Sequence, residues 1–363
     1  MSTGRKLGQR VRGVAKGALQ SAAHGPVADG VAGLMERMAP WRSGRLAIVT
    51  YHRVAVPGSR SDLMPSLIST TPTGLSEQID ALVRHLSPVS LAQVVDALVD
   101  PRSLPPKAVL VTFDDAYADF RTGAWPVLRE RQVPVTLFVP TAYPGGTARP
   151  FWWDRLWVAV SRSELANVPR GPALGLPLGS MAQRSETMAR LISVLKDMDH
   201  DEAMAAVDAL IASLLPEPTD EAPVDGAAAG APSQPPVLDW DDLRALAAEG
   251  VTLAPHTRTH PLLDRIPLDR AIEEIATSHD DLEREIGPTP RVLAYPSGAH
   301  GGEAVEAARR AGMVLAVTTK RGGNDVRRTD PLRFRRINIG LRTRPSLVRA
   351  QVVWASTIDA RRS

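Results

Sequence analysis

Residues 108–120 read AVLVTFDDAYADF, an apolar run followed directly by two carboxylates. The run at 108–113 is rich in β-branched and apolar side chains, which is typical of a strand buried on both faces. Successive strand residues point to opposite faces, so Asp114 and Asp115 are expected to diverge where the strand ends. One carboxylate can then hold a metal while the other faces a substrate.

A second chemically active stretch, HTRTH at 256–260, follows the strand-like run VTLA at 251–254. A spacing of four would place His256 and His260 on one face of a helix, as in zinc proteases, but Pro255 and the preceding strand favour a loop. The glutamate that such proteases carry after their first histidine is also missing. One carboxylate and two imidazoles form the open donor set of a catalytic zinc site.

Helical and strand-like segments alternate along the chain, which is the rhythm of a parallel α/β barrel. The predicted helices lie at 75–86, 90–99, 121–131, 239–248, 269–286 and 302–311, and the predicted strands lie at 108–113, 133–139, 251–255, 292–296 and 314–319. The expected fold is α/β, a deformed parallel (β/α) barrel of about seven strands. Both motifs fall at carboxyl ends of strands, the face that carries catalysis in such barrels.

At these residues the chain resembles the polysaccharide deacetylase family, carbohydrate esterases with a NodB homology domain. The likeness rests on three motifs in order, TFDDA at 112–116, HTRTH at 256–260 and AYPSG at 294–298. It covers 45–145 and 237–345, which are interpreted as the two halves of one barrel. The implied reaction is the removal of an N-acetyl group from a sugar or polysaccharide, with release of acetate.

The resemblance implies a role for each motif residue. Asp114 would be the general base, while Asp115, His256 and His260 would hold one divalent metal, zinc in the first instance, with cobalt, nickel and manganese as alternatives. A substrate loop would stabilise the oxyanion through a backbone N–H near Ser297. The residues of that loop are Tyr295, Pro296, Ser297 and Gly298.

Three positions depart from the family pattern. Ala116 replaces the glycine that usually follows the Asp pair, so the backbone there must tolerate a Cβ. Ala294 stands where many members have an arginine that orients the base, which leaves the orientation of Asp114 unassigned. Many members also carry a C-terminal histidine that protonates the leaving amine, and no histidine follows His300.

The stretch LAIVTYHRV at 46–54 supplies a candidate for the missing acid. It resembles the circularly permuted deacetylases of poly-N-acetylglucosamine systems, in which a histidine from an early strand completes the site. In a closed barrel the first and last strands are neighbours, so the element can move between the termini without a change in geometry. His52 is therefore predicted to be the general acid, and the alternative is a core histidine that donates to a backbone carbonyl.

An insertion at 146–236 separates the two halves of the barrel. It contains helix-like stretches at 183–197 and 200–215, and it closes with a Pro/Ala/acid-rich stretch at 216–236 that is predicted to be disordered. Three tryptophans open this insertion, and two of them, Trp153 and Trp157, are four residues apart, a spacing that predicts one buried helical face. Trp152 is left as a candidate platform for a sugar ring.

Composition narrows the class of protein. With 44% hydrophobic and 23% charged residues, the 363-residue chain is typical of soluble globular proteins. The absence of cysteine excludes disulfides and thiolate ligands, and a net charge of +3 is too small to predict nucleic-acid binding. No run of eighteen apolar residues predicts a transmembrane helix. Among the remaining histidines, charged helical neighbours predict surface positions for His85, His200 and His279.

The chain ends carry their own predictions. Residues 1–44 are expected to form a basic helical segment, and 346–363 a C-terminal helix and tail. The N-terminal stretch lacks the apolar core of a signal peptide, so a cytoplasmic location is predicted. Basic and apolar residues interleave over 1–20, which favours either peripheral contact with an anionic membrane or a solvated helix packed on the domain.

Other functions on the same fold remain open at this point. A barrel without Gly at 116 and Arg at 294 could bind carbohydrate with little turnover. The same site could also serve an O-acetyl esterase or an amidohydrolase acting on a small amide. Fold alone does not choose between these activities.

Overall fold

The structure is a computed structural model that describes residues 44–146, 149–215 and 236–357. The predicted basic segment and its membrane contact lie outside the described residues, apart from residue 44. The stretch predicted to be disordered also lies outside them, apart from residue 236.

Eleven strands occur in the described residues. They are β1 (Arg45–Tyr51), β2 (Arg53–Val54), β3 (Ile68–Thr70), β4 (Ser87–Pro88), β5 (Ala108–Phe113), β6 (Val135–Val139), β7 (Thr252–Pro255), β8 (Val292–Ala294), β9 (Leu315–Arg321), β10 (Asn324–Asp325) and β11 (Phe334–Asn338). Seven form a parallel sheet in the order β7-β6-β5-β1-β11-β9-β8, with β4 added beside β5 and β10 antiparallel beside β1. The prediction of a deformed barrel of about seven strands is confirmed.

Ten α-helices accompany these strands in the same part of the chain. They are α1 (Pro72–His85), α2 (Leu91–Val99), α3 (Trp125–Glu130), α4 (Trp152–Arg162), α5 (Met181–Asp197), α6 (His200–Leu214), α7 (Trp240–Ala248), α8 (Leu268–Ile286), α9 (Gly302–Arg310) and α10 (Pro345–Thr357). Helices α4, α5 and α6 pack on one another and form the helical insertion between β6 and α7.

Local sequence explains where these elements begin and end. All six residues of β5 are buried, as its continuous apolar run predicts. Helix α2 starts with a capping box, in which Ser90 and Gln93 satisfy each other's backbone N–H groups. Gly287 directly follows helix α8 and adopts φ 87°, a positive-φ conformation that glycine often takes just after the last turn of a helix.

Strand β1 lies between β5 and β11, so the early strand is the neighbour of both the Asp-pair strand and the last strand. The sheet is open between its two ends, β7 and β8, which lie side by side without exchanging ladder hydrogen bonds. The carboxyl ends of the parallel strands all meet at one rim, where the motif residues are found.

The surface position predicted for His279 is wrong. This imidazole is fully buried on the inner face of α8, where Nε2 lies 3.2 Å from the carbonyl oxygen of Thr289. Asp280 is exposed on the same helix whereas Asp281 is buried, so charged neighbours in sequence were a poor guide to the position of this histidine. None of the described helices is both long and apolar enough to cross a membrane.

Candidate active site

Three potential metal ligands converge at the carboxyl ends of β5 and β7. Asp115 follows β5 directly, and His256 and His260 come from the loop after β7. The Asp115 Oδ1 atom lies 3.4 Å from Nε2 of His256 and 3.3 Å from Nε2 of His260. All three side chains are buried. The structure therefore brings together the set that the sequence predicted.

These residues fit a divalent cation. The buried Oδ1 of Asp115 has no hydrogen-bond partner among the described residues, although two imidazole nitrogens face it. On the far side of the ring, Nδ1 of His256 lies 2.7 Å from the Ala294 carbonyl oxygen, which can only accept. Nδ1 therefore carries the proton and Nε2 presents its lone pair to the site, an outer-shell hydrogen bond common to metal-binding histidines. This bond also spans the seam between β7 and β8.

Asp114 is held by an arginine that the sequence interpretation missed. Nη1 and Nη2 of Arg336 donate to its two carboxylate oxygens at 2.8 and 2.7 Å. Arg336 is fully buried on β11, and its Nε donates to the Thr318 carbonyl at 2.9 Å while Nη1 also reaches Thr50 Oγ1 at 3.0 Å. This bidentate pairing of a planar guanidinium with a carboxylate fixes the orientation of both Arg336 and Asp114.

The electrostatics of the two carboxylates follow from these contacts. Burial disfavours the charged form of Asp114, but the Arg336 guanidinium together with His256 and His52 holds the pKa of that carboxyl below its usual value. Burial likewise opposes ionisation of Asp115, and the two imidazoles beside it hold its pKa well below the usual range. Both carboxylates are therefore charged at neutral pH.

His52 lines the same cleft as the metal triad, which consists of Asp115, His256 and His260. It follows β1, its backbone N–H donates to Ser69 Oγ at 2.9 Å, and its Nε2 lies 4.0 Å from Asp114 Oδ2. The side chain is 27% exposed and lines a cleft of about 270 Å³ together with the Asp pair and the two histidines. The histidine is thus at the site rather than in the core.

Left-handed backbone conformations cluster at this rim. Positive φ values occur at Asp115 (73°), Ala116 (53°), Thr257 (62°), His260 (62°) and Ser297 (53°), none of which is glycine. Such residues are uncommon and concentrate where a surrounding structure forces an unusual direction on a side chain. At position 116 the conformation explains why glycine would be favoured, and the fully buried alanine shows that a Cβ is accommodated.

The residues of the predicted substrate loop differ in position, because some line the cleft and others are buried in the interior. Ser297 lines the cleft, whereas Tyr295 is buried and donates from its hydroxyl to the Leu332 carbonyl at 3.0 Å. Pro296 is buried too. Gly298 has φ 75°, and a Cβ there would lie 2.1 Å from Thr319 Oγ1, so only glycine fits.

The tryptophans behave as their spacing predicted. Trp153 and Trp157 are buried on one face of α4. Trp153 also stacks edge-on against His260, with ring centroids 4.9 Å apart, so it forms part of the wall behind the triad. Trp152 is partly buried and lines the cleft.

The family model for polysaccharide deacetylases matches residues 102–159 and 177–316, more than half of the chain. The chain belongs to the polysaccharide deacetylase family. The match includes the Asp pair, both histidines and the substrate loop, and it stops before β11, so it does not include Arg336.

A curated relative adds a partial match. The poly-beta-1,6-N-acetyl-D-glucosamine N-deacetylase of Escherichia coli K12 is 33% identical over 96 residues, which are 26% of this chain and 14% of that protein. The similarity therefore spans about one seventh of the relative's length.

Solved structures of deacetylases share the fold. The Streptococcus pyogenes deacetylase PplD in complex with acetate aligns with a TM-score of 0.53 at 18% identity, over 85% of this chain and 97% of that one. IcaB from Ammonifex degensii aligns with a TM-score of 0.50 at 18% identity, over 86% and 98% of the two chains. At such identities the likeness establishes the fold alone.

Within the polysaccharide deacetylase pattern, the structure accounts for the departure at Ala294. The guanidinium that pairs with Asp114 arrives from β11, not from the third motif. The sequence held one indication of such an arginine. A buried carboxylate whose own motif contains no cation needs a cation from another part of the chain. The segment RFRRIN at 333–338 contains four polar residues in six and was not predicted as a strand.

Proposed function

We propose that this chain is a metal-dependent hydrolase that removes N-acetyl groups from an N-acetylated sugar or polysaccharide and releases acetate. The observation that carries the proposal is the buried set of Asp115, His256 and His260 facing one point, beside a second carboxylate fixed by Arg336. A metal triad next to an independently held base is an arrangement that can carry out metal-assisted amide hydrolysis.

Asp115, His256 and His260 would hold the divalent cation, with zinc best matched to one carboxylate and two imidazoles and with cobalt, nickel or manganese able to use the same donors. When bound, the cation would supply a Lewis acid and an acidified water molecule. Burial of the donor set shields it from bulk water. Burial lowers the pKa of His260, which favours its neutral, ligating form, whereas Asp115 and Asp114 outweigh burial at His256 and raise the pKa of that imidazole.

The protein's own groups then divide the proton transfers. Asp114 accepts a proton from the attacking water, whose oxygen bonds to the carbonyl carbon of the acetamide. Arg336 holds the Asp114 oxygens in place for this step. The backbone N–H of Ser297 donates to the developing oxyanion. His52 donates a proton to the nitrogen as the C–N bond breaks, and acetate and a free amino sugar leave.

The test combines metal content with product release. Wild-type protein and His256→Ala are dialysed against a weak chelator, analysed for zinc, cobalt, nickel and manganese, and assayed for acetate from N-acetylglucosamine oligomers and from O-acetyl esters. We expect about one metal per chain and acetate from the amides in the wild type, and the loss of both in the variant. His300→Ala is the matched control, because this imidazole lies near the substrate loop but outside the triad.

The proposal fails if His256→Ala retains the metal stoichiometry of the wild type, or if the metal-loaded wild type releases acetate from esters alone. A loss of metal in His300→Ala as large as that in His256→Ala would also count against the triad assignment.

A further inference from the structure

The helical insertion contributes part of the lining of the cleft, including the cation Lys196 near the end of α5. Lys196 lines the cleft together with Asp115 and His260. It also lines a small recess of about 20 Å³ that continues the cleft against α6. Lys196 thus lines both the cleft at the metal triad and the recess beneath the insertion.

Lys196 makes no direct ion pair with any acid of the described residues. In the part of the chain that the structure describes, no hydrogen bond or ion pair reaches its side chain. Burial lowers the pKa of the ammonium group, and the charge of Asp115 opposes that lowering. A cation removed from water without a partner is costly, and an arriving anion would offset that cost.

The surroundings exclude the obvious internal partners. The residues that line the cleft and the recess include no acid other than Asp114 and Asp115. Asp114 is bound at both oxygens by Arg336, and Asp115 faces the two imidazoles. Arg265, which also lines the recess, lies 3.6 Å from its own partner, Asp197. Among the described residues, the insertion side of the cleft therefore carries an ammonium group that no acid contacts directly.

We propose that Lys196 is an anion subsite, so that the N-acetylated sugar taken by this chain carries a phosphate or a carboxylate substituent. This inference rests on the proposed function for the sugar part of the ligand. An ammonium group donating to an oxyanion makes a charge-assisted hydrogen bond, which is strengthened where the site is shielded from water. Trp152 lines the same cleft and would pack against the sugar ring.

Equilibrium binding tests the subsite without requiring turnover. Metal-loaded protein is titrated calorimetrically with N-acetylglucosamine, N-acetylglucosamine 6-phosphate and N-acetylmuramic acid, so that neutral, phosphate-bearing and carboxylate-bearing sugars are compared. We expect the wild type to bind at least one anionic sugar about tenfold or more tightly than the neutral one. That preference should shrink as salt is raised.

Three variants assign the preference to Lys196. Lys196→Gln should bind all three sugars alike, and Lys196→Arg should keep the preference because it keeps the charge. Lys107→Gln removes the same charge at the start of β5, at the opposite end of the barrel, and should leave the preference intact. Thermal unfolding of each variant verifies folding. If Lys196→Gln does not fold, the loss of preference is sought instead in Lys196→Met.

Two results overturn the inference. One is equal or absent binding of neutral and anionic sugars by the wild type. The other is a preference that persists in Lys196→Gln, which would mean that the anion binds the metal or another surface. Acetate release distinguishes this failure from that of the proposed function. A Lys196-dependent preference without acetate release would support the anion subsite and contradict the proposed deacetylase reaction. Acetate release without that preference would support the reaction and contradict the subsite.

Discussion

Asp114 on the barrel wall of the cleft and Lys196 on the insertion wall differ in how completely they are paired. On the barrel wall, both oxygens of Asp114 accept from Arg336, and Arg336 donates further to Thr318 and Thr50. On the insertion wall, Lys196 has no partner in the described residues, and Trp152 is only partly buried. Asp114 and Arg336 are therefore oriented before any ligand binds, whereas Lys196 and Trp152 are available to contact a ligand.

This difference suggests a division of labour within the family fold. Groups that must be in place for a reaction profit from preorganised partners, since no reorganisation is then needed during the step. Groups that recognise a substituent on the substrate must instead be free to bind it. We therefore expect changes on the barrel wall to reduce turnover on every substrate, and changes on the insertion wall to alter the choice of substrate.

The largest effect is expected from Asp114→Asn. An amide cannot accept the proton from water, so acetate release should fall by up to about 10⁴-fold. Metal should remain bound, because Asp115 and the histidines are unchanged. The variant should also unfold more easily, by about 3 kcal/mol, since Arg336 loses its buried counter-ion. Acetate assays, metal analysis and urea unfolding measure the three quantities.

Asp119→Asn is the matched control for that prediction. Asp119 lies in the same loop and is paired with an arginine, Arg53, at 2.9 Å, but it lines a different cavity. It should lose stability and keep most of its turnover. If Asp119→Asn reduced turnover as strongly as Asp114→Asn, the loss would come from loop disorder and not from a missing base.

Arg336→Met should be the next largest change. It leaves Asp114 charged and buried without its partner, which typically costs about 3–5 kcal/mol of unfolding free energy. Replacing both members, as in Asp114→Leu with Arg336→Met, should recover much of that stability without recovering activity, because an apolar pair needs no desolvation. Denaturant unfolding of both variants tests this. A single variant as stable as the wild type would mean that the ion pair contributes nothing to the fold.

The contrast between the walls also explains what the sequence could predict. The residues after β5 and β7 were identifiable because motif carboxylates and histidines directly follow apolar runs. Arg336 was not, because an arginine in a strand reads as exposed in any hydrophobic pattern, and its burial depends on a partner 222 residues away in sequence. Strand β11 was missed for the same reason.

Lys196 was beyond sequence reasoning for a different reason. Its place at the cleft depends on how α5 packs across the barrel rim, a tertiary arrangement that helical periodicity does not specify. His52 was found because it ends a buried strand and because the family reaction requires an acid. The need for an acid catalyst thus pointed to His52 on the barrel wall, whereas no step of the reaction required a residue from the insertion.

His52→Ala should separate acid catalysis from a structural role. An amine leaves poorly unless protonated, whereas a phenolate leaves unaided, so the variant should lose about 10²-fold on an N-acetyl sugar and little on an aryl acetate. Metal content should be unchanged. Equal losses on both substrates would indicate that His52 shapes the site or activates water. His300→Ala, measured on the same pair of substrates, controls for a lost imidazole near the rim.

The smallest predicted effect is a change of stability with pH, and it concerns Asp154 on α4, which contacts the loops of the barrel. Its Oδ1 accepts from the Met64 backbone N–H and its Oδ2 from the Tyr117 hydroxyl, both at 2.7 Å. Tyr117 belongs to the Asp-pair loop and in turn accepts from the indole N–H of Trp153 at 2.8 Å. A single buried carboxylate thus ties the insertion to the barrel loop.

Burial raises the pKa of Asp154 to about 6. The hydrogen bonds from Met64 and Tyr117 and the charge of Arg53 oppose that rise, while the charge of Asp115 adds to it. Because the folded-state pKa lies above the ordinary value of 3.8, the folded protein holds this proton more tightly than the unfolded chain does. The resulting stability is fully present below about pH 4 and is lost as pH rises through about 6.

Asp154→Asn cannot titrate, so it should remove this pH dependence. We expect the unfolding free energy of the wild type, relative to the variant, to be about 2 kcal/mol more favourable at pH 4 than at pH 7. Asp208→Asn, which removes an exposed carboxylate on α6 of the same insertion, is the control for a simple change in charge. Urea unfolding at the two pH values gives the double difference. A double difference near zero would mean that folding leaves the pKa of Asp154 at its ordinary value, and the strength of the contact between insertion and barrel would then not depend on the protonation of this carboxyl.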